Sequence, residues 1–338
     1  ISIMNIRNYH SLLDLNTFKV NVNAEFYINI QSEKDLLELL QNTSHKKIFI
    51  LGGGSNILLT RNIKGLVIHN QIKGIKIKAE TNKHTIIEVG AGELWDKVVE
   101  WSTERNLYGI ENLSLIPGYI GAAPIQNIGA YGTEIKDVFQ ELKAINLQTK
   151  EIHVFNKSDC QFGYRDSIFK NKLKDKLIIT KITIKLSKQN TLNLSYKAIK
   201  KEIEKINNKQ LTSKDIREII IKIRKQKLPD PQYIGNAGSF FKNPIVNQNT
   251  LNEIKKIHPD VPVFKNTNQM KIPAGWLIEK LNWKGYKENN CGVYNKHSLV
   301  LINYGNASGK DIVNLSQKIK QDVNQKFNIK LEEEVSII

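Results

Sequence analysis

The sequence predicts an α+β fold, and three observations carry that expectation. Short β-type runs bounded by glycine alternate with helical spacing through the first third of the chain. A largely uncharged stretch at 113–132, rich in glycine and proline, separates them from longer β-type runs. From Tyr196 onward helical patterns dominate. At 338 residues, 40% of them apolar, the chain has room for two or three domains and a sizeable core.

Taken in order, Phe26–Ile30 reads as a strand. Ser32, with Asp35 three residues on and then Leu36, Leu37, Leu39 and Leu40, reads as a capped helix start. Lys47–Leu51 is a buried-strand pattern ending in Gly52-Gly53-Gly54-Ser55-Asn56. Further β-type runs follow at Gly65–His69, Ile72–Ile77 and Thr85–Val89, and Glu93–Arg105 has helical spacing at Leu94, Val98 and Trp101. The 113–132 stretch holds four glycines and two prolines, as expected of an ordered loop whose backbone approaches something closely. Strands resume at Phe139–Leu147 and Leu177–Leu186. Helices are expected at Tyr196–Ile206, Ser213–Gln226, Leu251–Ile257, Ala274–Leu281 and Gly309–Phe327. A domain boundary falls near 195–212.

Composition excludes several function classes. The formal charge is +17, but only six of the basic residues are arginine and 44 are lysine. A lysine load alongside abundant Ile and Asn fits an A+T-rich coding bias better than a nucleic-acid reader, which favours arginine for bidentate contacts. Cys160 and Cys291 form no CxxC and no Cys/His cluster, so neither a disulfide framework nor a zinc site is expected. There is no long apolar run for a membrane span, and Ile1-Ser2-Ile3-Met4-Asn5 lacks a signal-peptide layout. A cytoplasmic monomer that binds neither nucleic acid nor membrane is expected.

Two nucleotide motifs fail on spacing. Counting from Gly52, the third glycine position of a dinucleotide fingerprint is Ile57, and Ile57-Leu58-Leu59-Thr60 is β-like where a helix should open. The segment Gly305–Asp311 is one residue short of a P-loop and has Asp311 where a hydroxyl should meet magnesium. Gly-rich backbone still offers a nest of N–H groups for a diphosphate, with Ser55 and Asn56 as extra donors. A plain tight turn between strands is the alternative for this motif alone. The second glycine-rich loop favours a ligand with both a diphosphate and a flat ring system.

Together these segments resemble the vanillyl-alcohol-oxidase-type FAD-binding fold. LGGGSNIL at 51–58, IPGYIGAAPIQNIGAYG at 116–132, CQFGYRDSIFK at 160–170, KLPDP at 227–231, GNAGSFFKNP at 235–244, KIPAGWLIE at 271–279 and LEEEV at 331–335 resemble the UDP-N-acetylenolpyruvoylglucosamine reductase family. Leu194-Ser195-Tyr196 is similar to the branch with a tyrosine loop over the substrate. Gly53 and Glu333 depart mildly from the family pattern. The resemblance implies two α+β FAD-binding subdomains, 1–68 (joined by the tail 329–338) and 69–205, and an α+β substrate-binding domain at 206–328. It also implies non-covalent FAD, since neither glycine-rich segment contains His or Cys for a tether. NADPH is implied as co-substrate and a UDP-sugar enolpyruvyl ether as substrate.

The residues carried over follow from the same resemblance. FAD contacts are expected from Gly52, Gly53, Gly54, Ser55, Asn56, Pro117, Gly118, Gly121, Ala122, Gln126, Asn127, Gly129 and Ala130. Arg165 would grip the substrate carboxylate with its planar fork. Glu334, a carboxyl that tends to hold a proton beside that carboxylate, would donate to it. Ser239 would give the proton that completes reduction. Tyr131, Tyr196, Lys227 and Asn243 would bind the substrate. Two competitors remain at this stage: another flavin oxidoreductase of the same fold acting on an alcohol or lactone, and a basic nucleic-acid-binding protein. Residues 170–230 carry 18 Lys+Arg against six Asp+Glu, a basic block suited to drawing anionic nucleotides.

Overall fold

A computed structural model of the chain describes residues 5–206, 210–266 and 269–338. The start Ile1–Met4 and part of the expected boundary, 207–209, lie outside the described residues. The described residues form two compact units, one within 5–10, 24–53 and 63–226, the other within 11–23, 54–62 and 227–338.

Among the described residues, the first unit contains a four-stranded sheet, a five-stranded sheet and the short pair Gly129–Ala130 with Thr133–Glu134. Strand Ile63–Asn70 lies between Asn23–Ile30 and Ile48–Leu51 and runs parallel to both, with Arg7–Ser11 at the outer edge. Helix Glu33–Asn42 connects the flanking strands. Ser32 caps it by accepting from the Asp35 N–H, as the sequence predicts; such a cap is worth about 1 kcal/mol. Leu36, Leu39 and Leu40 then point into a core with Ile28, Ile30, Leu66 and Ile68. All three parallel strands end at the edge where Leu51 runs into Gly52, and ligands of such sheets gather at that carboxyl edge.

The second sheet is antiparallel, ordered Ile152–Asn156, Phe139–Asn146, Leu177–Ser187, His84–Gly90 and Ile75–Glu80. Its core holds Ile87, Val89, Trp95, Val98, Phe139, Leu142, Ile182 and Ile184. Helix Ser213–Lys227 turns Ile216, Ile219, Ile220 and Ile223 onto Ile199 of helix Lys197–Ile203, the i, i+3, i+4, i+7 spacing of one buried face. The expected helix Tyr196–Ile206 is therefore shorter, with Tyr196 at its N-cap. The strand expected at Ile72–Ile77 starts only at Ile75, because Gly74 turns the chain with φ +119°.

The second unit corrects the expectation that helices dominate after Tyr196. Strands Gly235–Ser239, Val300–Asn303, Cys291–Val293 and Lys287–Glu288 form an antiparallel sheet in that order. Ile245–Val246, Gln269–Lys271 and Phe264–Asn266 form another. These strands are too short to show a two-residue period. Helix Gly309–Phe327 has the expected bounds and buries Ile312, Leu315, Ile319, Val323 and Phe327. Its capping box joins Ser308 and Asp311, so the P-loop-like glycines are a helix start. A β-carbon on Gly309 would stand 2.0 Å from the Leu59 carbonyl oxygen.

Candidate active site

Each unit gathers a distinct set of the residues singled out from sequence. In the first, the two glycine-rich loops meet backbone to backbone: a β-carbon on Gly53 would stand 2.8 Å from the Gly118 Cα. Gly118 itself has φ +112°, and its carbonyl accepts from the Trp95 N–H that opens a helix. Gly121 packs as closely on Ala91, 2.7 Å from its β-carbon if it carried one of its own. Pro117 and Ala122 are exposed, while Gly52, Gln126, Gly129 and Ala130 are half-buried. Backbone laid bare in this way suits a ligand that needs close N–H donors.

Asn127 is fully buried, and its amide is engaged within the protein. It donates to Glu134 at 3.0 Å and to the Gly163 carbonyl at 2.9 Å, and its Oδ1 accepts from the Lys136 N–H at 3.2 Å. Asn127 therefore fastens the glycine loop to the turn Gly163–Asp166. Arg165 sits in that turn with φ +52°, and its Nη2 donates to the Gly129 carbonyl. Further along the loop, Tyr131 also has positive φ, +50°, and its ring meets Tyr196 edge-on with centroids 5.1 Å apart. Tyr196 is 40% exposed, whereas burial pushes the Tyr131 hydroxyl above its ordinary pKa.

In the second unit the tail lies between two segments. The Glu334 N–H donates to the Phe240 carbonyl at 2.8 Å, and the Lys242 N–H donates to the Glu332 carbonyl at 2.9 Å. On its other side, Asn56 Nδ2 donates to the Glu334 carbonyl at 3.2 Å, and Ser336–Ile337 runs parallel to Ile57–Leu58. Glu334 thus pairs on one side with Phe240, the residue after Ser239, and on the other with Asn56. Gly238, before Ser239, has φ +70° with open space where a side chain would be. Gly54, at φ +60°, packs where a β-carbon would stand 2.0 Å from the Leu15 carbonyl oxygen. Strand Ile57–Leu58 follows the glycine turn directly, in keeping with the rejection of a dinucleotide fingerprint.

The substrate candidates of this unit are less clustered. Asn243 Oδ1 accepts from the Ala274 N–H at 2.9 Å, at the first residue of helix Ala274–Lys280. Lys227 is exposed at the end of its helix, and none of the ion pairs among the described residues involves it.

The first unit also holds several residues that sequence reasoning passed over. His69 stacks on Tyr119 with rings 3° from parallel, and its Nδ1 lies 2.7 Å from the Tyr27 hydroxyl, which donates to Asn29 Oδ1 at 2.5 Å. Burial holds the His69 imidazole down to about 4, with His10 and Lys73 adding repulsion. Arg217 forks onto Asp96 at 2.6 and 2.9 Å. Arg224, on the same helix, lies against the Tyr131 hydroxyl, and burial lowers its guanidinium pKa. The i, i+7 spacing of Arg217 and Arg224 was a signal, hidden among the surrounding lysines.

The exposed glycine backbone, the parallel-sheet edge beside it and the absence of a helix after the turn fit a flavin dinucleotide. An FAD binding domain model matches residues 24–155. The chain is an FAD-dependent oxidoreductase. The model for the C-terminal domain of UDP-N-acetylenolpyruvoylglucosamine reductase matches residues 230–338. The UDP-N-acetylenolpyruvoylglucosamine reductase of Flavobacterium johnsoniae is 45% identical over 337 residues, covering 99% of this chain and all of the relative. That of Amoebophilus asiaticus is 46% identical, with 99% and 100% covered. The chain belongs to the UDP-N-acetylenolpyruvoylglucosamine reductase family. A solved member from Thermus caldophilus shares the fold, with a TM-score of 0.69 at 22% identity over 99% of both chains.

Proposed function

We propose that the protein reduces UDP-N-acetylenolpyruvoylglucosamine to UDP-N-acetylmuramate with NADPH, in the supply of peptidoglycan precursors. FAD, held by the glycine-rich loops, would supply the hydride-transfer chemistry between NADPH, which becomes NADP+, and the terminal carbon of the enolpyruvyl ether. The protein's task is alignment and polarisation. Arg165 holds the carboxylate, where negative charge builds as the double bond is reduced. Glu334 in its protonated form donates a hydrogen bond to the same group. Ser239 delivers a proton to the adjacent carbon, balancing the hydride. Tyr131, Tyr196, Lys227 and Asn243 bind the substrate, with Tyr196 closing over it. Residues 1–68 and 69–205 hold the cofactor, 206–328 the substrate, and the tail 329–338 returns to the site.

The observation that supports this reading is the tail's position between Phe240–Lys242 and Asn56–Leu58, which pairs Glu334 with the residue after Ser239 and with Asn56. The protein is further proposed to act as a cytoplasmic monomer without nucleic acid. Among the described residues, no helix is long and apolar enough to cross a membrane. The decisive test is optical. Purified protein should be yellow, bleach with NADPH and recolour with UDP-N-acetylenolpyruvoylglucosamine. A reduced flavin that the UDP-sugar cannot reoxidise would overturn the substrate assignment.

A further inference from the structure

Asn112 stands one residue ahead of the glycine-rich loop and is 1% exposed. Its Nδ2 donates twice, to the Tyr131 carbonyl at 3.0 Å and to the Asn193 carbonyl at 2.9 Å. Both neighbours are acceptors, so only the NH2 end of the amide can face them. The Oδ1 end is buried with no hydrogen-bond partner. A second bond runs across the same gap: Asn193 Nδ2 donates to the Gly132 carbonyl at 2.9 Å. The Asn193 Oδ1 accepts in turn from the Ser195 hydroxyl at 2.6 Å and its N–H at 3.2 Å. Gly132 has φ +82°, and a β-carbon there would stand 3.1 Å from Asn193 Nδ2. The segment 193–196 is therefore laced to the turn Tyr131-Gly132 by two amides, and the Tyr131 and Tyr196 rings of the two segments meet edge-on.

From this arrangement we infer that Asn112 is a positioning residue for substrate binding: it sets Tyr131 and the Tyr196 segment as one body. The inference rests on the reading that Tyr196 closes over the UDP-sugar. Leaving a buried carbonyl oxygen unpaired is unfavourable, and a buried amide in that state is retained where its other end makes bonds no smaller residue can make. Two carbonyls from segments 62 positions apart in the chain meet at one NH2 group, which neither Ser nor Ala could span. Asn112 touches no reacting atom. Its effect passes through the Tyr196 hydroxyl, which the positioned ring carries to the substrate.

The test is a double-mutant cycle on the FAD-loaded enzyme, read as the dissociation constant of UDP-N-acetylenolpyruvoylglucosamine, with FAD content and thermal unfolding measured in parallel. Asn112→Asp keeps the shape but sets a carboxylate against two carbonyls, and should weaken binding about tenfold, the scale of one lost hydrogen bond to a buried group. Tyr196→Phe should also weaken binding. The double variant should bind no worse than about twofold below the weaker single, since a hydroxyl already displaced has nothing left to lose. Losses that multiply would overturn the role of Asn112. No effect of Tyr196→Phe alone would overturn the reading of Tyr196, and this inference with it. Should Asn112→Asp fail to hold FAD, Asn193→Ala at its half-buried position removes the second lace and enters the same cycle. Its losses must likewise fail to multiply with those of Tyr196→Phe.

Discussion

The guanidinium of Arg165 lies across the backbone of Gly129, donating to its carbonyl at a point where a β-carbon would stand 2.8 Å from Nη1. One loop thus serves both as bare backbone and as the rest for a cation. Arg165→Lys would keep the charge but lose the fork. It should slow reoxidation of the reduced flavin by the UDP-sugar about tenfold or more while leaving reduction by NADPH nearly intact. Stopped-flow traces of the two half-reactions separate them; an unchanged second rate would remove Arg165 from carboxylate binding.

Ser239→Ala should likewise spare flavin reduction. Its effect falls on the second half-reaction, slowed at least ~10²-fold on the usual scale of acid–base catalysis. Equal slowing of both halves would mean that the hydroxyl supports the fold of strand Gly235–Ser239 and does not supply the proton.

Gly53→Ala forces apart two backbones, because its β-carbon meets Gly118 atoms at 2.8 and 3.2 Å and no flexible side chain can yield. We expect the variant to purify with most of its flavin lost, while Gly74→Ala, where no atom stands within 4 Å but φ is +119°, loses stability and keeps FAD. The ratio of visible to ultraviolet absorbance reports this directly. Full flavin occupancy in Gly53→Ala would show that the loop contact does not shape the cofactor site.

His69 predicts a pH effect. Its folded imidazole stays neutral down to about 4, whereas in the unfolded chain it protonates near its ordinary value of about 6.5. Between those values only the unfolded state binds the proton, so stability is complete above about 6.5 and declines as pH falls toward 4. The full contribution is about 3 kcal/mol. His69→Gln can still donate to the Tyr27 hydroxyl and does not titrate. Urea unfolding followed by tryptophan fluorescence should find its loss of stability from pH 7 to 4.5 smaller than the parent's by about 2 kcal/mol. Parallel curves would place the acid sensitivity elsewhere.

The sequence by itself determined what is local. Ser32 and Ser308 cap their helices because a hydroxyl needs only the N–H three residues on. The 3.6-residue period of Gly309–Phe327 and Ser213–Lys227 is likewise written in consecutive residues. The refusal of a dinucleotide fingerprint followed from β-type residues after Gly54, and the family motifs marked Arg165, Ser239 and Glu334. Tertiary structure alone decided the short strands after residue 234, whose hydrogen bonds go to distant partners and leave no period in two to five residues. It also decided which polar side chains carry weight. Asn112 is one among many asparagines until Tyr131 and Asn193 bring carbonyls to it, and only the fold shows the Asn127 amide engaged by Gly163. A capping serine meets its partner within one turn, whereas a buried amide acquires its role only when the chain folds acceptors against it.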